Sequence, residues 1–136
     1  FGHEGPVSLS YRFDAPDRSM VFTGDTGPCL ALEKFAKNAD LLVGEIFDTE
    51  LVINRLRATN PDMSDHALLQ MRQHFDEHHL TPEDLGKLAS RAGVKKVVAV
   101  HIPFITKNTE EDAKYVSRIL ANFSGSVTIS EDLAAY

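Results

Sequence analysis

Asp25 ends an apolar run in the string Val21-Phe22-Thr23-Gly24-Asp25-Thr26-Gly27, and His101 ends another in Lys96-Val97-Val98-Ala99-Val100. Each sits where β-prone residues stop and a turn begins, and in α/β proteins the strand ends line the functional crevice. A carboxylate and an imidazole brought to one sheet edge are the usual ligands of a divalent metal. The same residues also allow a plainer reading, in which Asp25 caps the following helix and His101 is a half-buried histidine with its hydrogen bonds satisfied. Six histidines against a single cysteine, Cys29, bias the chain toward imidazole ligands. One thiol supplies neither an intrachain disulfide nor a paired-cysteine zinc site.

The elements that must position these residues follow from periodicity. Val7 to Phe13 alternates apolar and polar residues, Ala15 to Arg18 is a turn, and Ser19 to Thr23 returns, so the two strands are expected to pair as a hairpin. Pro28 suits the first turn of a helix running through Asn38, with Leu32, Phe35 and Ala36 on one face. A third strand opens at Asp40-Leu41-Leu42-Val43 and ends near Glu45-Ile46-Phe47. Residues 49 to 58 read as a short helix, Asn60-Pro61-Asp62 breaks it, and Ser64 caps a second helix to about Glu77. Thr81-Pro82-Glu83-Asp84 starts a further helix: a hydroxyl cap, proline at the first position and acids at the positive end of the dipole. Strand 97–102, a helix from Thr109 and strand 126–129 complete a mixed α/β order without internal repeats.

Composition bounds the class. With 136 residues, 43% of them apolar and 25% charged, the chain has the profile of one ordinary globular domain or half of a larger one. A net charge of -6 argues against a general nucleic-acid patch and leaves a local one open. No run approaches the roughly 20 apolar residues of a membrane span, so no membrane partner is expected. The first residue is Phe1 rather than methionine, and the chain is therefore expected to be a piece of a longer protein.

The order of Thr23-Gly24-Asp25-Thr26-Gly27, helix, Asp40-Leu41-Leu42-Val43-Gly44-Glu45, His79-Leu80-Thr81-Pro82-Glu83, helix, Gly93-Val94-Lys95-Lys96-Val97-Val98 and His101 resembles the second half of the metallo-β-lactamase superfamily. The similarity is strongest to its ribonuclease Z and arylsulfatase-like branch, where a histidine precedes a Tyr-Arg-Phe strand as His3 precedes Tyr11-Arg12-Phe13. The resemblance implies an α/β fold, the C-terminal half of a metallo-β-lactamase-type αββα sandwich, with residues 1–136 forming one partial domain that carries a helical insert at about 49–77. It implies His3, Asp25 and His101 as metal ligands, Asp25 bridging two cations. Those cations, zinc or else manganese or iron, would hold a hydroxide between them and polarise an ester-type bond: a phosphodiester, sulfate ester or lactone.

His79 matches the histidine thought, in that branch, to stabilise developing charge or protonate the leaving group, which a histidine does near neutral pH. His78 and His79 also read as the polar tail of a helix. Glu45 is expected to orient His79 through a hydrogen bond or, alternatively, to be a solvated strand-end acid; related proteins place His-Glu there, and this chain has Gly44-Glu45. His66, His74 and His78 are expected at the surface or behind the site. The family's His-x-His-x-Asp-His cluster has no counterpart in the chain, so this piece alone is expected to bind metal weakly and catalyse poorly. The alternative function is a non-catalytic module that keeps the fold for assembly or binding. A half-sandwich also leaves one sheet face uncovered, with Val21, Leu42, Val98 and Val100 as candidates for it, to be met by the missing N-terminal half or a second copy. The flap formed by the 49–77 helices is where a small-molecule or nucleic-acid ester substrate would be selected.

Overall fold

The structure, a computed structural model, describes residues 8–103 and 109–136. Five strands form one sheet in sequence order: β1 (Tyr11–Asp14), β2 (Ser19–Phe22), β3 (Leu41–Glu45), β4 (Lys96–Val100) and β5 (Ser126–Ile129). The expected hairpin is present, with β1 and β2 antiparallel and Tyr11 opposite Phe22. From β2 onward every neighbouring pair is parallel, so β2, β3, β4 and β5 all end at the same edge. Parallel neighbours require crossovers. Those crossovers carry helix α1 (Leu30–Phe35), then α2 (Thr49–Thr59), α3 (Asp65–His78) and α4 (Pro82–Ala92), and last α5 (Thr109–Leu120).

Crossovers of one hand that always step in the same direction deliver their helices to the same face of the sheet. The core shows this one-sidedness. Val21, Leu42, Val97 and Ala99 from the strands pack with Leu32 and Ala36 from and beside α1, Leu85, Leu88, Ala89 and Ala92 of α4, and Tyr115 and Ile119 of α5. The expectation for Val21 and Leu42 is thereby corrected: both are fully buried on the helix side. The strand segment Leu41-Leu42-Val43 is apolar throughout, so no polar alternation chooses which residues point inward. Val98 and Val100 alternate with Val97 and Ala99 and do lie on the opposite face, although Val98 is buried by its neighbours. That face carries Tyr11, Phe13 and Phe22, with Phe13 and Phe22 edge-on at 6.0 Å. Tyr11 and Phe13 remain 54% and 59% exposed, an apolar surface without a covering layer among the described residues.

Helices α2 and α3 stand apart as a pair. Arg72 pairs with Glu50 across them and Arg57 with Asp65. Ser64 caps α3 by accepting from the Ala67 N–H, and Thr81 caps α4 by accepting from the Asp84 N–H, both as the sequence requires. α1 is shorter than expected because Pro28 and Cys29 stay outside it, Cys29 being the extended N-cap. No helix of the described residues is long and apolar enough to cross a membrane.

Asp40 fastens the start of β2 to β3. Its carboxylate accepts from the Ser19 N–H at 2.7 Å and hydroxyl at 3.1 Å and meets Lys95 Nζ at 2.5 Å. The bonds from Lys95 and Ser19 hold its pKa down at about 2, against an ordinary 3.8. A carboxylate with a lowered folded-state pKa stabilises the fold above its unfolded value and loses that contribution as pH falls through the folded value. Asp40→Asn should therefore lower the melting temperature at pH 7, and the difference from the unmodified chain should shrink between about pH 4 and pH 2. Thermal unfolding followed by circular dichroism across that range checks it.

Candidate metal centre

Three of the sequence-identified residues meet at the shared strand edge. After β2 the chain turns through Gly24, whose φ of 63° permits the sharp bend, and presents Asp25. β3 ends at Glu45, and β4 ends one residue before His101. Glu45 is paired in register with Val100, so the parallel ladder itself places Glu45 beside His101. His101 leaves the strand in a left-handed conformation, φ 54°, an unfavourable choice for a side-chain-bearing residue that swings its ring toward Asp25. The His101 Nδ1 and Asp25 Oδ1 atoms lie 2.8 Å apart, and His101 Nδ1 is 3.5 Å from Glu45 Oε2. One ligand atom each from Asp25, Glu45 and His101 falls within 4.8 Å of the others.

Glu45 is the buried member, 1% exposed. Its carboxylate accepts from the Thr26 N–H at 2.7 Å and pairs with His79 Nδ1 at 2.8 Å. Burial pushes its pKa up, opposed by the hydrogen bonds from His79 and Thr26. His79 is the C-cap of α3, and its backbone N–H donates to the Phe75 carbonyl. Its ring stacks on Phe47 at 4.5 Å and 18°, and lies 6.5 Å from the His101 ring. With Nδ1 engaged by Glu45, Nε2 is the atom His79 has left for an incoming group.

The structure thus brings Asp25, Glu45, His79 and His101 together; His3 lies outside the described residues. Of the two roles open to Glu45, the contact with His79 is present, and Glu45 also joins Asp25 and His101 as a third potential donor. Sequence reasoning missed that second position; its signal was parallel adjacency, since two neighbouring parallel strands ending in Glu45 and His101 must put them side by side. Gly44 lies on the helix side, and a Cβ there would come within 2.4 Å of Leu85 Cδ1. Its absence from the site follows from the sheet's alternation.

Two carboxylates and one imidazole form a donor set suited to zinc, manganese or iron, and the short Asp25–His101 approach is one that a cation between them would replace. The residues therefore fit a divalent ion. Residues 2–102 match the family described as the beta-lactamase superfamily domain. The chain belongs to this superfamily. Within it, similar proteins include a Ribonuclease Z of Mycobacterium avium, 29% identical over 93% of this chain and 40% of its own length. A Ribonuclease Z of Myxococcus xanthus is 28% identical over 86% of this chain and 32% of its own. The chain thus spans well under half the length of these relatives. The metallo-beta-lactamase fold protein YhfI from Bacillus subtilis superposes with a TM-score of 0.65 at 20% identity, over 93% of this chain and 42% of that one. Human tRNase Z, short form, gives 0.52 at 18%, over 92% and 36%. The superfamily fold expected from the sequence is the fold the structure has.

Replacing the buried carboxylate should be felt in stability. Glu45→Ala leaves the Thr26 N–H and His79 Nδ1 without their acceptor, which outweighs relief from burying the carboxylate; a loss of about 1–3 kcal/mol is expected. Urea unfolding of Glu45→Ala against the unmodified protein measures it, and Glu45→Gln, which keeps an acceptor, should lose less.

Proposed function

We propose that the protein carrying this chain is a metal-dependent hydrolase that cleaves a phosphodiester in a nucleic acid. The observation that carries this reading is the convergence of Asp25, Glu45 and His101 at one sheet edge, within 4.8 Å, from three separate strand ends. Relatives named Ribonuclease Z support the choice of a nucleic-acid ester over a sulfate ester or lactone.

Asp25 and His101, with His3, hold the metal in this proposal, and Asp25 is the bridge if two cations bind. Its side chain is 58% exposed, and its short stem follows directly from the bend at Gly24. Zinc is the expected ion, with manganese or iron as alternatives. When bound, such an ion acts as a Lewis acid toward the phosphoryl oxygen and acidifies water at the site. Glu45 keeps the His79 ring oriented through its hydrogen bond to Nδ1, and Phe47 limits its rotation by stacking. His79 Nε2 then carries the proton that the departing oxygen requires.

The domain reading belongs to the same proposal. Residues 1–136 form one partial domain whose open sheet face, with Tyr11, Phe13 and Phe22, is covered by another part of a longer protein. The share of the relatives' length lying outside this chain makes that part a more natural occupant than a second copy. Helices α2 and α3 are the insert beside the site.

In the longer protein, Asp25→Ala should abolish hydrolysis of RNA, by at least about 100-fold, and strip most of the bound metal, whereas His66→Ala should leave both nearly unchanged. Metal content by inductively coupled plasma mass spectrometry and single-turnover cleavage give the two readouts. A protein that retains no zinc, manganese or iron would support the non-catalytic module instead. Equal losses in the two variants would show that the ligands are misassigned.

A further inference from the structure

A groove of about 510 Å³ runs between the turn after β2 and the C-terminal half of α3. His74 and His78 line it from the helix, Asp25 and Thr26 from the turn. Its lining includes two carboxylates, Asp25 and Glu77, and among the described residues no lysine or arginine. The field inside therefore favours a cation over an anion. Neither His74 nor His78 belongs to the donor group of Asp25, Glu45 and His101.

His74 and His78 stand one helical turn apart on α3 and share a face, the i, i+4 spacing at which a helix presents two imidazoles to one zinc. Both are exposed, and neither ring has a hydrogen-bond partner among the described residues. The ring centroids are 4.6 Å apart. Two imidazoles held tetrahedrally by zinc, with Zn–N bonds of about 2.0–2.1 Å, have centroids about 5 Å apart, so a small rotation about the side-chain bonds closes the clamp. Helix ends ordinarily fray, which would spoil this spacing. Here the end of α3 is held twice: His79, the next residue, pairs with Glu45 at 2.8 Å, and a Cβ on Gly27 would sit 2.0 Å from the Glu77 carbonyl oxygen, so closely does the turn press on the helix.

We propose that His74 and His78 form a second metal site, a two-histidine clamp on α3 for a divalent transition cation such as zinc, with water in its remaining positions. Imidazole selects this class over magnesium and calcium, which take oxygen ligands. Asp25 and Glu77 raise the local concentration of cations through their charge without ligating the ion. With two protein ligands, against three at the strand edge, the clamp is the weaker and more exchangeable site. A separate cavity of about 250 Å³ reaches Asp25, Glu45 and His101 from the open sheet face, so the strand-edge centre has an opening in which the clamp takes no part. The inference stands on α3 and its groove and does not depend on the phosphodiesterase reading.

The test is isothermal titration calorimetry of zinc chloride into the longer protein after dialysis has removed loosely held metal. The unmodified protein should show a weak binding event whose Kd rises at least about tenfold in His74→Ala and in His78→Ala alike, because the second ligand of a clamp binds intramolecularly. The double variant should lose no more than either single one, the non-additivity of two residues acting as a unit. His66→Ala, changed more than two turns earlier in α3, should leave the event unchanged. No event lost in the single variants, a loss in only one of them, or an equal loss in His66→Ala would overturn the clamp. The strand-edge centre is read separately, by the zinc retained through dialysis, which Asp25→Ala should strip and His74→Ala should leave in place, so the two sites can fail independently.

Discussion

One buried carboxylate organises the functional edge of this molecule. Glu45 sits at the end of a central parallel strand, almost fully out of water, where an ionised group needs several hydrogen bonds. Those bonds come from places far apart in the chain: the Thr26 N–H from the turn after β2 and the His79 ring from the end of α3. Satisfying Glu45 therefore fixes the turn that presents Asp25 and the helix end that presents His79. His101 arrives beside them through the sheet register alone.

The one-sided sheet gives this edge its setting. Parallel strands in sequence order place their crossovers on one face, leaving the other apolar and, among the described residues, without a covering layer, and the candidate centre lies at the rim between the two. A rim position gives the centre two approaches, one along α3 and one across the open face. Covering that face would shield the centre on one side, strengthening the interactions between its charges as water is excluded. The α2–α3 pair is tied to itself by ion pairs such as Arg72–Glu50 and to the rest of the fold at its ends, through Asp48 to Arg118 and His79 to Glu45.

Much of this was legible from residue types, because local signals act locally. Ser64 and Thr81 announce their helices through hydroxyl caps that need only neighbouring backbone. Asp25 and His101 stood out because each ends an apolar run, and they do meet. Less legible was anything decided by partners distant in sequence. The strand Leu41-Leu42-Val43 is apolar on both sides, so its phase waits on which face the helices cover, and Val21 and Leu42 came out inward. Glu45 could not be seen as a third donor until its strand was placed next to that of His101. The strand expected through Ile102 stops at Val100 because His101 turns into a left-handed conformation, which no propensity of Val-Ala-Val foretells.

The account stands on a cation being held jointly by Asp25 and His101, with Glu45 beside them. Anomalous scattering at the zinc edge from crystals of the zinc-loaded longer protein tests that directly. The expected peak lies within about 2.0–2.2 Å of an Asp25 carboxylate oxygen and a His101 ring nitrogen. A peak held instead by His74 and His78, or no peak near Asp25 at saturating zinc, would contradict it.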